Sequence, residues 1–293
     1  MKRSPESKAL WRLFTPLLAY WIVKLVVDFL TTCVMMIVKA EEIAPLVNNN
    51  QQTVTEEEMQ KIMIEMSKIV QEFYVQYQLE CTVALDVCMI LVMGIMFWQD
   101  RKREAKERTE PVNMVSAVKY IPIVGLGIAF CLVGNCLAGL SGLVYSDETY
   151  QETAAVLYGA SFLIQLVSSG LIIPLAEELF YRGLVFKRFR EQGSFLLAAV
   201  LSTFLFTSGH GNLVQGLYTI VLGFLLCFVY EKVGSLKAPL CLHITANVVS
   251  LCCTQFGVFD WLMANKMWMA VLAVAGTFVG TTILMRIVQE RKE

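Results

Sequence analysis

Charged side chains are scarce in this chain: 17% of its 293 residues are Asp, Glu, Lys or Arg, and only two residues are histidine. A soluble domain of this length needs more charge than that to cover its surface. The chain is instead 56% hydrophobic, with a mean hydropathy of +0.59. The composition therefore indicates that lipid covers part of the molecule.

An excess of basic residues and an ordered cysteine pattern are also missing. The net charge is −1, so no overall positive field attracts nucleic acid. The nine cysteines are odd in number and mostly lie in apolar stretches, without the spacing of a disulfide framework or a zinc ribbon. We therefore expect no nucleic-acid partner, and cysteines that act as small buried hydrophobic residues.

Long apolar runs are what the sequence does contain. A transmembrane helix needs roughly 20 mostly apolar residues. Stretches of this kind lie at 13–38, 79–99, 119–145, 154–181, 195–210, 213–230, 238–255 and 267–286. The sequence therefore predicts an all-α fold, a polytopic transmembrane helix bundle of about eight spans in the lipid bilayer.

Basic residues fall in alternate connections between these spans. They cluster in five places: Lys2 to Arg12, Arg101 to Arg108, Lys187 to Arg190, Lys232 to Lys237, and Arg291 with Lys292. Because cytoplasmic connections are enriched in Lys and Arg, the pattern predicts a multi-pass protein of the cell membrane with both termini in the cytoplasm.

The longest opposite connection, at about 39–78, is acidic. Thr55 and Glu58 fit a capping box, which predicts that a helix begins there and runs on toward the second span. This helix would lie on the membrane surface or over the outer face. We interpret residues 1–150 as N-terminal spans with this acidic outer segment, and residues 151–293 as a core that carries the polar motifs.

Ionisable residues inside apolar spans are costly, so each is a functional candidate. In the fourth span, Glu178 and Arg182 are four residues apart and share a helix face, which predicts an ion pair. Glu177 is turned about 100° away and cannot share that pair equally. Its carboxylate is therefore free to point into the bundle, where it can take up and return a proton.

The two histidines of the chain, His210 and His243, both lie in or beside apolar spans. His243 and Asn247 are four residues apart on one helix face, an arrangement that suits stabilisation of an oxyanion or orientation of a ligand. A single buried Glu–Arg pair or a single histidine is often structural. Such groups on three different spans favour a functional site.

Other polar residues lie in the first two spans. Lys24 and Asp28 are four residues apart and are expected to pair with each other. Asp86 is predicted to make a structural contact between helices, with a contribution to a substrate cavity as the alternative.

The polar residues form three motifs that resemble the signatures of the CAAX protease and bacteriocin-processing family of intramembrane proteases, also called the ABI family. The family motifs are EExxxR, FxxxH and HxxxN. They read here, in the family's order, Glu177-Glu178-x-x-x-Arg182, Phe206-x-x-x-His210 and His243-x-x-x-Asn247. The resemblance covers residues 155–255, so the core at 151–293 would be the protease core.

The resemblance implies an endopeptidase that hydrolyses a peptide bond of a peptide or membrane-associated protein substrate. It implies a water-activating pair, Glu177 and His210, an oxyanion site, His243 and Asn247, and two supporting residues, Glu178 and Arg182. Some family members are described as metalloproteases, which would make Glu177, His210 and His243 zinc ligands. No HExxH helix is present, and we favour glutamate chemistry without a metal or other cofactor.

Two interpretations without proteolysis are also open. A membrane immunity or scaffold protein would use the same cavity to bind a peptide and leave it intact. A transporter or proton relay would also use buried acidic residues and histidines, but it predicts inverted repeats, and none is evident in the sequence.

The depth of His210 needs an explanation. Counted from the cytoplasmic end, Glu178 lies about nine residues deep, His243 about six and His210 about sixteen, a mismatch on the order of 10–15 Å at 1.5 Å per residue. A span that begins outside the membrane, a steep tilt, or a break at Gly209 and Gly211 would each account for it. Water is expected to arrive from the cytoplasmic half, where two of the three motifs lie.

Overall fold

The computed structural model describes residues 5–47, 55–107 and 116–289, and the regular elements within these ranges are helices. Six helical segments are long and apolar enough to cross a membrane, or seven if two helices joined by a 69° bend count as one span. The prediction of an all-α, polytopic transmembrane bundle is confirmed.

Short connections join most of the helices. In chain order they are α1 (Pro5–Val38), α2 (Ala40–Val47), α3 (Glu56–Gln76), α4 (Gln78–Glu107), α5 (Ile121–Ser141), α6 (Leu143–Ser146), α7 (Glu148–Gly159), α8 (Phe162–Val167), α9 (Ile173–Glu177), α10 (Lys187–Gln192), α11 (Phe195–Ser208), α12 (Leu213–Val233), α13 (Lys237–Gln255), α14 (Val258–Ala264) and α15 (Lys266–Gln289). A 3₁₀ turn at Ala117–Tyr120 precedes α5, and π-helical segments at Ser168–Ile172 and Glu178–Phe186 flank α9.

The fifth predicted span, at 195–210, is wrong as a full membrane crossing. Its helix, α11, has 14 residues. At 1.5 Å per residue it is about 21 Å long, whereas the hydrocarbon core of a bilayer is about 30 Å thick. Gly209 ends the helix in a turn, where its amide donates to the Phe206 carbonyl oxygen at 3.3 Å. The described residues therefore hold six or seven spans rather than about eight.

The fourth span, Phe162–Gln192, changes helix type along its length. Pro174 is the second residue of α9 and has no N–H to donate, which interrupts the regular helical hydrogen bonding at that point. π-helical turns often mark functional sites in α-helices. In this span the second π-helical segment carries Glu178 and Arg182.

Ion pairs tie together one end of the bundle, which we call the basic end. Arg188 Nε lies 2.8 Å from Asp100 Oδ2, and Arg188 Nη1 donates to the Arg12 carbonyl oxygen at 2.7 Å. These contacts join α1, α4 and α10. Arg190 Nη2 lies 3.0 Å from Glu231 Oε1. This ion pair connects α10 to the last turns of α12. The basic end is therefore one connected surface built from several spans.

Parts of the predicted topology fall outside the described residues. They include the basic residues Lys2, Arg3, Arg108, Arg291 and Lys292, together with residues 48–54 of the acidic outer segment. The cytoplasmic position of the basic end and of both termini stays a prediction.

Two local predictions in the N-terminal half are confirmed. At the start of α3, Thr55 Oγ1 accepts the Glu58 amide at 3.3 Å, and Glu58 Oε2 accepts the Thr55 amide at 3.0 Å. The hydrogen bond from the Thr55 backbone lowers the pKa of Glu58. In α1, Lys24 Nζ lies 2.9 Å from Asp28 Oδ2.

Candidate active site

A buried ion pair forms the base of the site, as predicted. Arg182 Nη1 donates to Glu178 Oε1 at 2.9 Å, and both side chains are 0% exposed. Arg182 Nη2 also donates to the Gly223 carbonyl oxygen at 3.4 Å, and its guanidinium lies 4.3 Å from the centre of the Phe206 ring. Because a buried charge is tolerated only when it is paired, this contact makes both side chains tolerable inside the bundle.

The Glu178 carboxylate orients His243 from the neighbouring helix α13. His243 Nδ1 lies 2.9 Å from Glu178 Oε1. A carboxylate can only accept, so Nδ1 carries the hydrogen, and in the neutral ring Nε2 has a free lone pair. This Nε2 lies 3.7 Å from Glu177 Oε2.

His210 reaches the site from the connection between α11 and α12. Its Nδ1 lies 2.9 Å from the Phe206 carbonyl oxygen, which also only accepts, so Nε2 again has the free lone pair in the neutral ring. His210 Nε2 lies 4.0 Å from Glu177 Oε1. The depth of His210 is explained by the early end of α11 at Ser208 and by the ring, which turns back toward Phe206.

Glu177 therefore lies between two imidazoles, and each of its oxygens faces one Nε2. These distances are too long for direct hydrogen bonds, so both nitrogens are free to accept a proton from a water molecule placed between the groups. The Glu177 and His210 side chains keep 19% and 22% exposure, whereas Glu178 has none. Of the acidic doublet, Glu177 is the member that water can reach.

Asn247 lies on the same helix as His243 and lines the same cavity, but one of its amide hydrogens is already used. Asn247 Nδ2 donates to the Ser169 carbonyl oxygen at 2.9 Å. Ser169 belongs to the first π-helical segment of the fourth span. The second amide hydrogen of Asn247 is therefore the one that could reach a ligand.

A cavity of about 270 Å³ extends from these side chains. It lies between α5, α7, α12, α13 and the first half of the fourth span. Its polar lining consists of Asn135, Tyr150, Tyr158, Ser169, Glu177, His210, Gln215, Tyr218, Thr219, His243, Asn247 and Ser250. This cavity extends away from the basic end, whereas water was expected from the cytoplasmic half, and the cytoplasmic position of the basic end stays a prediction.

Sequence reasoning did not find most of this lining. Asn135 was recognisable as a polar residue within an apolar run, whereas Gln215, Tyr218 and Thr219 carry no motif. Helix α7, which supplies Tyr150, overlaps the start of the predicted fourth span at 154–181, although the actual span begins at Phe162. Asn135 and the three residues of α12 share one feature that the sequence does show. Each lies in an apolar span, in the half that is remote from basic residues.

Asp86 lies on α4 near the other side of Glu177. It is half-buried, and it is close enough to act electrostatically on Glu177 and Tyr20. The described part of the chain gives its carboxylate no hydrogen bond or ion pair, so the expected structural pairing is not found there.

The three side chains named as possible zinc ligands lie somewhat farther apart than the ligands of one zinc ion. Within the described ranges, no group of three or more His, Cys, Asp or Glu side chains is placed to hold a metal. Ligands about 2.0–2.2 Å from one zinc lie on the order of 3.3 Å apart in a tetrahedron. Glu177 lies 4.0 Å from His210 and 3.7 Å from His243, so the three would have to move together to bind one.

The fold and the site define a polytopic helical membrane protein in which a carboxylate and two imidazoles lie close together inside the bundle. Residues 159–249 match the family described as Type II CAAX prenyl endopeptidase Rce1-like. The chain is also 25% identical over 134 residues to the "Putative membrane peptidase YdiL" of Bacillus subtilis (strain 168). That match covers 42% of this chain and 55% of the relative, so it spans about half of the relative's length.

With the three motifs, these matches show that residues 159–249 are similar to the CAAX protease and bacteriocin-processing family. The family match includes the segments that carry Glu177, His210 and His243. No solved structure matches the chain.

Proposed function

We propose that this protein is an intramembrane endopeptidase that hydrolyses a peptide bond of a peptide or membrane-associated protein substrate. The observation that carries the proposal is the convergence of Glu177, His210 and His243, whose polar atoms lie 3.7–4.0 Å apart although they come from three separate parts of the chain. The family match and the name of the bacterial relative support the same class of reaction.

Glu177 and His210 activate the attacking water in this proposal. The Glu177 carboxylate and His210 Nε2 can each accept a proton, and both keep some exposure to solvent. As the water oxygen bonds to the scissile carbonyl carbon, its proton passes to this pair. The pair then returns a proton to the leaving nitrogen while the C–N bond breaks, which yields a carboxylic acid and an amine.

His243 and Asn247 stabilise the oxyanion of the tetrahedral intermediate. Because His243 Nδ1–H is directed at Glu178, the ring can donate through Nε2 only as an imidazolium. The Glu178 carboxylate stabilises that charged form, and Arg182 is paired with that carboxylate. The free amide hydrogen of Asn247 would be the second donor.

Cleavage of a peptide library by the purified protein in proteoliposomes tests the proposal. We expect Glu177→Gln and His210→Ala to lower the rate at least about 100-fold, in line with the loss of a general base. Asp28→Asn in α1 is the matched control, because it removes a carboxylate from a span but lies outside the site. Thermal unfolding should show that all three variants remain folded.

Retained cleavage in Glu177→Gln would disprove the mechanism. Peptide binding without any cleavage by the unmodified protein would instead support the immunity or scaffold interpretation. A chelator that stops cleavage, with zinc found in the purified protein, would support the metal-dependent alternative.

A further inference from the structure

The cavity beside Glu177 lies in one half of the bundle. The spans that line it contribute residues lying several turns away from their basic ends. In α12, which ends near Lys232, the lining residues come from the first three turns, including Gln215. In α13, which begins at Lys237, they start two turns in at His243 and continue to Ser250 and Leu251. The cavity therefore points toward the opposite end of the bundle, which we call the distal end.

On the other side of the site, packed side chains fill the space between the spans. Arg182, Leu184, Phe186 and Leu226 are each 0% exposed, and together they lie between Glu177 and the basic end. These described residues separate the site from the basic end, so the distal route is the more open of the two.

Helix α7 forms part of the distal mouth of the cavity. Asp147 Oδ1 accepts the Tyr150 amide at 3.1 Å, and Asp147 Oδ2 accepts the Val214 amide at 3.0 Å. These hydrogen bonds lower the pKa of Asp147, the one from Val214 most. One carboxylate thus joins the first turn of α7 to the first turn of α12, close to His210.

The chemistry of the lining indicates what the cavity can accept. Apart from Glu177, His210 and His243, the described lining residues include no Asp, Glu, Lys, Arg or His. They offer uncharged donors and acceptors, such as Tyr158 and Gln215, which suit the N–H and C=O groups of a peptide backbone. A charged side chain would lose its hydration there without gaining a partner.

We propose that the substrate enters from the distal end as an extended peptide segment with uncharged residues next to the scissile bond. This inference rests on the proposed function, and it adds the route and the substrate class. If the basic end is cytoplasmic, as the sequence predicts, the substrate arrives from the opposite side of the membrane.

Cysteine labelling in sealed vesicles tests the route without relying on activity. Gln215→Cys and Tyr158→Cys mark the cavity, and Lys237→Cys marks the basic end, where Lys237 is exposed. A membrane-impermeant maleimide is added to vesicles of known orientation, and mass spectrometry separates the new site from the nine native cysteines. We expect the cavity cysteines to be labelled only when the maleimide is added on the membrane face from which Lys237→Cys is not labelled.

Labelling of the cavity cysteines from the same face as Lys237→Cys, or from neither face, would overturn the route. The next step compares cleavage before and after labelling of each variant. A bulky maleimide on Gln215→Cys should lower cleavage at least tenfold, whereas the same label on Lys237→Cys should leave it unchanged.

The two proposals fail in different ways. If the unmodified protein cleaves no peptide, the proposed function fails while the labelling result still stands. If cleavage continues with the cavity blocked, the function stands and the distal route is wrong. Peptides with Lys or Glu beside the scissile bond should be cleaved at least tenfold more slowly than uncharged ones, and equal rates would contradict the substrate class.

Discussion

At the scale of single residues, one carboxylate oxygen of Glu178 makes two contacts with different consequences. Its Oε1 accepts both Arg182 Nη1 and His243 Nδ1, each at 2.9 Å. The first contact stabilises the buried guanidinium of Arg182. The second places the ring hydrogen of His243 on Nδ1. Folding and chemistry therefore depend on the same carboxylate, and a pair of variants can separate them.

Glu178→Leu is expected to destabilise the protein by about 3–5 kcal/mol, because it leaves Arg182 buried without a partner. Glu178→Leu combined with Arg182→Met removes both charges and should recover most of that loss. Cleavage by the double variant should still be low, since His243 Nδ1 has lost its carboxylate. Thermal unfolding and peptide cleavage measure the two effects, and full cleavage by the double variant would limit the role of Glu178 to pairing with Arg182.

The contact between Glu178 and Arg182 could be predicted because both residues lie on one helix and the spacing alone brings them together. The contact between Glu178 and His243 spans 65 residues, and no local pattern encodes it. The position of His210 depended on where α11 ends. The motifs thus identified the residues of the candidate site. Which nitrogen of each imidazole carries the hydrogen could be assigned only from the acceptor beside it in the structure.

At the scale of helices, α11 and α12 approach each other closely at a glycine. A Cβ on Gly223 would lie 2.7 Å from Thr203 Cγ2 and 2.9 Å from its Oγ1, closer than side-chain atoms normally approach. The Gly223 carbonyl oxygen also accepts a hydrogen bond from Arg182. This position therefore links the packing of two helices to the base of the site.

Gly223→Ala is expected to destabilise the protein by about 1–3 kcal/mol, because the added methyl group must displace Thr203 or separate the helices. Gly216→Ala is the matched control on the same helix, since a Cβ there has no neighbour within 4 Å. Thermal unfolding of both variants in the same detergent measures the difference. Equal stability of the two variants would refute the close approach.

Helix boundaries were predictable to different degrees. The start of α3 followed from its capping box, which is a local pattern of two residues. The division between α7 and the fourth span was missed, because α7 ends at Gly159 and is followed by the extended residue Ala160, which is not a distinctive end signal. The bend between α13 and α14 follows Gly257, whose φ of 68° favours glycine, but a single glycine is too common to predict a bend.

At the scale of the whole molecule, hydropathy and charge predicted a polytopic bundle with one basic end. They placed the access route near the basic end, whereas the cavity beside Glu177 extends the other way, because counting residues from a span end does not reveal where neighbouring helices separate. The separation follows from packing: Leu184 and Leu226, which lie between the site and the basic end, are fully buried. Polar residues line the opposite half.

At this scale, the short α11 leads us to expect that the proposed cleavage depends on membrane thickness. Its length of about 21 Å is below the roughly 30 Å of a typical hydrocarbon core, so the surrounding bilayer must thin or the protein must tilt. We expect faster cleavage in vesicles of short-chain lipids than in vesicles of long-chain lipids. The control is Lys237→Cys labelling, which reports whether the protein inserts equally in both, and a rate independent of chain length would contradict the expectation.

A helix that stops part of the way across leaves a depression in the membrane above its end. Because His210 follows that end directly, we expect lipid headgroups and bulk water to approach the imidazole from the distal side. The protein would then obtain its second reactant by deforming the bilayer around itself, with no need for a continuous pore through its centre.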